Sequence, residues 1–550
     1  MSLLTAIRRA HYRALTPCMA VIFGVAAPAA MVLLLCLPAS AQAKSQTPEV
    51  RSAPTERSYI FTVNARLVVL DVVVTDKAGK LVDGLTAKDF QVFEDDKPQH
   101  IHAFDPPTSH VLPPVSVAAG ITAVFDPAQP VSFGHSPVDV LVFDQLNTHF
   151  ADSSFARRCL HDYLAGQPAL LPQPTTLLTV YDNHFKLLKG FTRDRDALLR
   201  AVAAAPVEYP WKLEVNGKAD YGPVERLDQS LRALEEIAQS YARIPGRKNL
   251  IWVGGGFPTI NPTTIDGDDA QEVKDALQHV TDILLDTHVT LYAVDPSSTA
   301  AGMTEITDSS QAEFLLNAGD ALAGNFDPFG ANDDFDRLGP VTGGRVIRGR
   351  NDIGELIASS ADLGAHYYTI AYTPSSSSEA AAQYRKIRVV CLRPGLTAIT
   401  RTGYYSGETQ AEKASATAAY DLTTAAETAL PLNGIRVTVE PDTTPNTTPN
   451  SYIVHAGAAN LTWKTRDDGS ATASVYIMAV SLSAKNAMLG HTLHGMKANA
   501  KPGANLTHPT KTADFAFTAQ PVAKATTLRF IIRDNATGRM GSADLQLKLP

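Results

Sequence analysis

Apolar and polar positions follow more than one period along this chain, and the changes of period divide it. Residues 67–74 are dense in β-branched side chains, Asp76 to Gly79 make a turn, and residues 89–94 alternate apolar and polar. That pattern predicts a small β module over 58–105. A Pro-rich connector follows over 106–136, with a short strand expected near 121–125. From 137 to 406 short apolar runs alternate with apolar residues at helical spacing. The clearest run, Val138 to Phe143, ends in Asp144 and leads to a helix marked by Phe155, Cys159, Leu160 and Tyr163. Residues 175–181 and 184–188 are close enough for a hairpin, so one sheet edge is expected to be antiparallel.

The same alternation continues through a short helix at 194–204. Next comes a long helix with Leu227, Leu231, Leu234, Ala238 and Tyr241 on one face and charges on the other. A buried strand at 249–253, a helix through Val273 to Leu284, a strand at 289–295 and a short strand at 343–347 follow. A helix is expected at 311–317 and an Asp/Gly-rich loop at 324–334. After a helix through Ile353 to Leu363, strands at 366–372 and 385–391 are expected to close the sheet. The result is an α/β fold, doubly wound around a mostly parallel, Rossmann-like sheet. Residues 407–431, rich in Ala, Thr and Glu, read as a linker that is partly helical at most. Residues 432–550 read as a C-terminal β-sandwich. Its clearest signal is a half-buried hairpin: Leu528, Phe530 and Ile532 alternate with polar positions, turn at 534–538, and return through Ala543, Leu545 and Leu547.

The amino terminus changes the picture of where the protein works. Arg8, Arg9 and Arg13 precede an apolar run to Leu37 and an A-x-A pattern ending at Ala43, which marks residues 1–43 as a secretory signal peptide. A retained anchor is the alternative. Residues 44–57 have a disordered composition. Export and cleavage place the chain in the periplasm, cell envelope or medium, with no stable membrane insertion afterwards. Losing three arginines and no acids takes the formal charge from −8 to −11, which does not suit a nucleic-acid partner. Two cysteines remain, Cys159 and Cys391, and two small buried residues are a commoner reading of them than a bridge.

Asp144 stands at the carboxyl end of a buried strand, where open α/β sheets bind ligands. With Asn147, Thr148 and the triplet Gly254, Gly255 and Gly256 it forms a candidate binding rim. The triplet lacks phosphate-loop spacing and a lysine, so close backbone approach is its better explanation. His149, His161 and His184 lack metal-motif spacing. There is no G-x-S-x-G elbow and no convincing acid–base pair.

Short stretches at 72–76, 85–95, 143–148, 245–252, 292–295 and 367–374 occur in an order that resembles the VWFA-related proteins of Acidobacteria. The resemblance implies a von Willebrand factor type A domain flanked by two small Ig-like β-sandwich modules, a binding role, and no reaction. Type A domains commonly hold Mg²⁺ at a D-x-S-x-S site. Asp144 and Thr148 match its first acid and second hydroxyl, whereas Leu146 replaces the first serine and Gly255 stands where an acid follows the fourth strand. Mg²⁺ tolerates poor geometry badly, so the site is expected to be degenerate, with Asp144 and Thr148 as remnant metal ligands and no cofactor required. Asp152 is expected to cap the helix after this loop. The expectation is a secreted, non-enzymatic interaction protein with a protein or glycan partner; the alternative is an exported hydrolase-like α/β enzyme with its catalytic residues in the loops at 206–222 and 296–340.

Overall fold

The computed structural model describes residues 67–112, 135–182, 184–215, 222–258, 267–296, 338–348, 352–375, 383–406, 409–428, 430–444 and 448–547. The leader, the segment at 44–57, the strand at 121–125, the helix at 311–317 and the loop at 324–334 all lie outside those residues.

Four strands open the described chain: β1 (Val68–Asp76), β2 (Phe90–Glu94), β3 (Lys97–Gln99) and β4 (Ile101–Asp105). The central domain runs β5 (Val138–Asp144), α1 (Phe150–Gly166), β6 (Leu170–Val180), β7 (Phe185–Asp194), α2 (Arg195–Ala204), α3 (Gly222–Tyr241), β8 (Lys248–Val253), α4 (Gly267–Asp286), β9 (Val289–Val294), β10 (Arg345–Ile347) and α5 (Ile353–Ala365). Its six strands are ordered β10-β9-β8-β5-β6-β7, all parallel except β7, which returns antiparallel to β6. Every residue of β5 is buried, as a strand covered on both faces must be. On one face Leu141, Phe143, Ile251 and Val253 share a core with Leu160 and Leu164 of α1, Leu198 of α2 and Ile357 of α5. Helices α3 and α4 bury Leu227, Leu231, Leu234, Leu277 and Val280 in the remaining layer.

The strands expected to close this sheet belong elsewhere. Strand β11 (Tyr368–Tyr372) pairs antiparallel with β1 and β4, and β12 (Gln383–Cys391) pairs with β2. Strand β13 (Leu396–Ile399) pairs with β1, and β14 (Gly403–Ser406) with β12. The two four-stranded sheets, β13-β1-β11-β4 and β14-β12-β2-β3, enclose one core of Leu70, Val72, Phe90, Val92, Ile370, Tyr372 and Ile387. Residues 67–105 are therefore half of a sandwich whose other half follows the central domain. Local pattern identified β1, β2, β11 and β12 but not the short strands β3, β4, β13 and β14, and pairing is a long-range property that period alone does not carry.

The segment expected as a linker is helix α6 (Thr409–Glu427). The final module contains β15 (Val437–Pro441), β16 (Ser451–Gly457), β17 (Lys464–Thr465), β18 (Ala471–Leu482), β19 (Met488–Ala500), β20 (Thr512–Thr518), β21 (Thr527–Asp534) and β22 (Met540–Gln546). The sheet β15-β16-β20 faces the sheet of β17, β18, β21, β22 and β19 across a core that includes Val454, Ile477, Phe515 and Phe530. Leu422, Ala425 and Ala426 of α6 cover the opposite face of β18 and β21, against Met478, Val480 and Ile531. The hairpin expected to be half-buried thus has β21 buried on both faces. Arg529 survives there because its guanidinium makes a two-pronged contact with Asp544, at 2.7 and 2.9 Å, and donates to the Thr428 carbonyl at 2.6 Å.

Cys159 and Cys391 are free; the first sits in the central core and the second against the sandwich core. Among the described residues no helix is long and apolar enough to cross a membrane.

Candidate binding crevice

In the central sheet the strand order reverses between β5 and β8, so their outgoing loops diverge and leave a crevice at the carboxyl ends. The loop after β5 is organised by Asp144 from below. One carboxylate oxygen accepts the backbone N–H groups of Leu146 and Asn147, at 2.9 and 3.0 Å. The other accepts the indole N–H of Trp252, from the neighbouring strand, at 2.9 Å. Asp144 is fully buried, so it supports the rim instead of standing on it. Burial pushes its pKa up to about 6, with the three N–H donors pulling the other way. Leu146, where a metal site wants a hydroxyl, is itself fully buried.

Thr148 joins the two loops. Its hydroxyl donates to the Asp144 carbonyl at 2.5 Å and accepts the Gly255 N–H at 2.9 Å. The glycines are required by that approach: a Cβ on Gly254 would lie 2.4 Å from Asp144 Cβ, and one on Gly255 2.0 Å from the Asn147 carbonyl oxygen. Gly256 has φ +77°, a left-handed conformation suited to glycine. Asn147 donates from Nδ2 to Ser230 Oγ on α3 at 2.9 Å. Asp152 is not the cap of α1: the helix begins earlier, at Phe150, with His149 at the N-cap and Asp152 in the first turn. There it faces the favourable end of the helix dipole.

An open cavity of ≈ 230 Å³ lies between these loops, lined among others by Asn147, Thr148, Arg226, Gly255, Phe257 and Asp295. Arg226 comes from α3, the helix read from sequence as charged on its second face; the residue is only 6% exposed. Its Nη1 donates to the Lys212 carbonyl at 3.2 Å, while Nε has no hydrogen-bond partner among the described residues. Burial lowers its pKa, and Asp144 and Asp182 act in the opposite direction. The crevice wall therefore carries a guanidinium whose Nε–H no group among the described residues accepts.

Beside it, Phe150, Tyr209 and Trp211 are 45%, 41% and 62% exposed. Their rings touch in sequence, Phe150 to Tyr209 at 5.6 Å and Tyr209 to Trp211 edge-on at 4.7 Å. Glu214 secures the platform by accepting the Phe150 N–H at 3.0 Å and contacting His149 at 3.2 Å. The Thr148 hydroxyl, next to His149 in sequence, is already committed to the loop bridge. His184 stacks on Tyr181, and His161 is exposed on α1.

Arg226, Trp252 and the aromatic platform were not singled out from sequence. The available signal for Trp252 was a buried indole N–H, which must find an acceptor. For Arg226 there was none, since burial of that face depends on distant residues.

No protein-family model matches this chain, and no curated protein matches it. Among solved structures it is similar to the VWA domain of SpRpn10 at 15% identity, covering 35% of this chain and 98% of that one with a TM-score of 0.15. It is also similar to an endonuclease/exonuclease/phosphatase from Beutenbergia cavernae at 14% identity, covering 50% and 59% of the two chains with a TM-score of 0.10. The likeness to a VWA domain is weak, and neither neighbour assigns an activity.

Proposed function

We propose that this chain is an exported, non-enzymatic interaction protein whose central domain is of the type A kind and binds a partner's carboxylate in the β5/β8 crevice through Arg226. The observation that carries the reading is the buried guanidinium at the cavity wall, whose Nε–H has no acceptor among the described residues. A fixed guanidinium receives a carboxylate directly, with the geometry and charge-assisted strength that Arg–carboxylate pairs have. Asn147, Thr148 and the three glycines shape the opening, and Phe150, Tyr209 and Trp211 offer the adjoining apolar surface. The Asp144 carboxylate is already occupied by three N–H groups, so Mg²⁺ has no role in this scheme. The leader read from the sequence supports export.

The carboxylate comes either from an acidic protein side chain or from an acidic sugar, both of which carry ring or methylene surface for the aromatic platform. The enzyme alternative has less support: the crevice lacks an uncommitted hydroxyl or thiol beside His149 among the described residues. Residues 216–221 and 297–337 of the loops it invokes lie outside them.

Calorimetry of the mature chain with acidic oligosaccharides and with acidic peptides, with and without chelator, tests the proposal. One of the two ligand classes should bind, chelator should leave the affinity unchanged, Arg226→Gln should abolish binding and Trp211→Ala should weaken it about tenfold. Binding that requires Mg²⁺ and is lost in Asp144→Asn would overturn it, as would binding indifferent to Arg226.

A further inference from the structure

A second cluster, on residues separate from the crevice, lies where the central domain meets the C-terminal module. Glu235 of α3, His279 of α4 and Asp421 of α6 bring one ligand atom each to within 4.8 Å of one another. His279 Nε2 is 2.9 Å from one oxygen of Asp421. The other Asp421 oxygen accepts from Arg533 Nε at 2.7 Å, so the carboxylate is oriented from behind by β21. Glu235 is 1% exposed, and neither of its carboxylate oxygens has a hydrogen-bond partner among the described residues.

A buried carboxylate without donors is among the costlier things a protein can contain. Burial pushes the Glu235 pKa up, with Asp421 adding to the effect and His279 opposing it. The imidazole nitrogen that faces Asp421 also needs either a proton or a cation between it and the oxygen. A metal ion satisfies both demands at once.

We propose that Glu235, His279 and Asp421 bind a divalent transition metal of the zinc class, which ties the central domain to the C-terminal module. One imidazole and two carboxylates are a ligand set zinc accepts, with a water completing four-coordination. Calcium and magnesium would want more oxygens than this cluster offers. Arg533 then plays the part of the outer group that fixes a ligating carboxylate. Zinc–ligand distances of about 2.0–2.2 Å set tetrahedral ligand atoms about 3.4 Å apart, so the 2.9 Å His279–Asp421 hydrogen bond has to open for the ion while the longer separations in the cluster, up to 4.8 Å, close in. The His279 side chain, 13% exposed, gives the ion a path from solvent.

The test uses the full mature chain without a histidine tag, stripped with chelator and titrated with Zn²⁺ and with Co²⁺. One equivalent should bind, Co²⁺ should give the visible absorption of a four-coordinate site, and the thermal midpoint should rise on loading. His279→Ala and the isosteric Glu235→Gln should each weaken binding at least a hundredfold and remove the thermal shift. Glu235→Gln preserves shape, so it decides the matter even if His279→Ala does not fold. Absence of stoichiometric binding, or binding undiminished in Glu235→Gln, would overturn the proposal.

Discussion

Asp139 and Asp144 begin and end the best-buried part of β5, and burial acts on each carboxylate differently. Asp144 is held by three N–H groups, whereas Asp139 is 3% exposed and, among the described residues, accepts one side-chain hydrogen bond, from Asn249 Nδ2 at 2.9 Å. Burial raises the Asp139 pKa to about 7; the Asn249 hydrogen bond lowers it and the Asp362 charge adds to the rise. Because this folded-state value exceeds the unfolded one of about 3.9, the native state holds the extra proton between the two, and stability falls as pH rises through that window. Asp139→Asn keeps an acceptor for Asn249 and removes the ionisable group. It should be close to neutral at pH 4 and stabilise the protein by roughly 2–4 kcal/mol at pH 8. Urea denaturation at the two pH values checks this; equal effects at both would mean that Asp139 ionises normally.

Among the elements, the exits of β5 and β8 act as one unit, because Thr148 accepts from Gly255 across the gap and the glycines leave no room for side chains. Gly255→Ala would drive a methyl into the Asn147 carbonyl and should cost about 2–3 kcal/mol in urea denaturation. Gly256→Ala meets only the end of the Arg348 side chain, at 3.3 Å, and should cost about 1–2 kcal/mol through its positive φ. A reversed ranking would mean that the loops do not touch. Close approach was legible in the glycine triplet, and the crevice end of the sheet in Asp144, since both are local consequences of strand followed by loop. The degree of burial was not. The charged face of α3 reads as a solvated face from its own spacing, yet Glu235 and Glu236 are buried because α6 and the C-terminal module cover them. Helix α6 looked like a linker for a related reason: its small Ala and Thr residues give a weak apolar stripe, which suffices against a flat sheet face.

At the scale of the molecule, the central domain is inserted into a sandwich whose two halves lie nearly 300 residues apart in sequence. Strand β1 pairs Val72 with Tyr368 and Val74 with Ala398, and β2 pairs Val92 with Val389. Glu94 of β2, 2% exposed, accepts the phenol of Tyr372 at 2.7 Å and that of Tyr404 at 3.0 Å, so a buried polar centre also depends on both halves. Closing so long a loop before these contacts form makes this sandwich the slow step expected for non-local β pairing. A fragment of residues 137–406, the central domain as its sequence period delimits it, would carry β11, β12 and β13 without β1 and β2. Their apolar faces and unpaired backbone edges would then be exposed, which is a template for aggregation. We expect that fragment to be insoluble or oligomeric in gel filtration, and co-expression with residues 67–112 to recover a monomeric complex with both pieces present. A 137–406 fragment that stays monomeric and unfolds at the temperature of the full chain would show that the sandwich is not a shared unit.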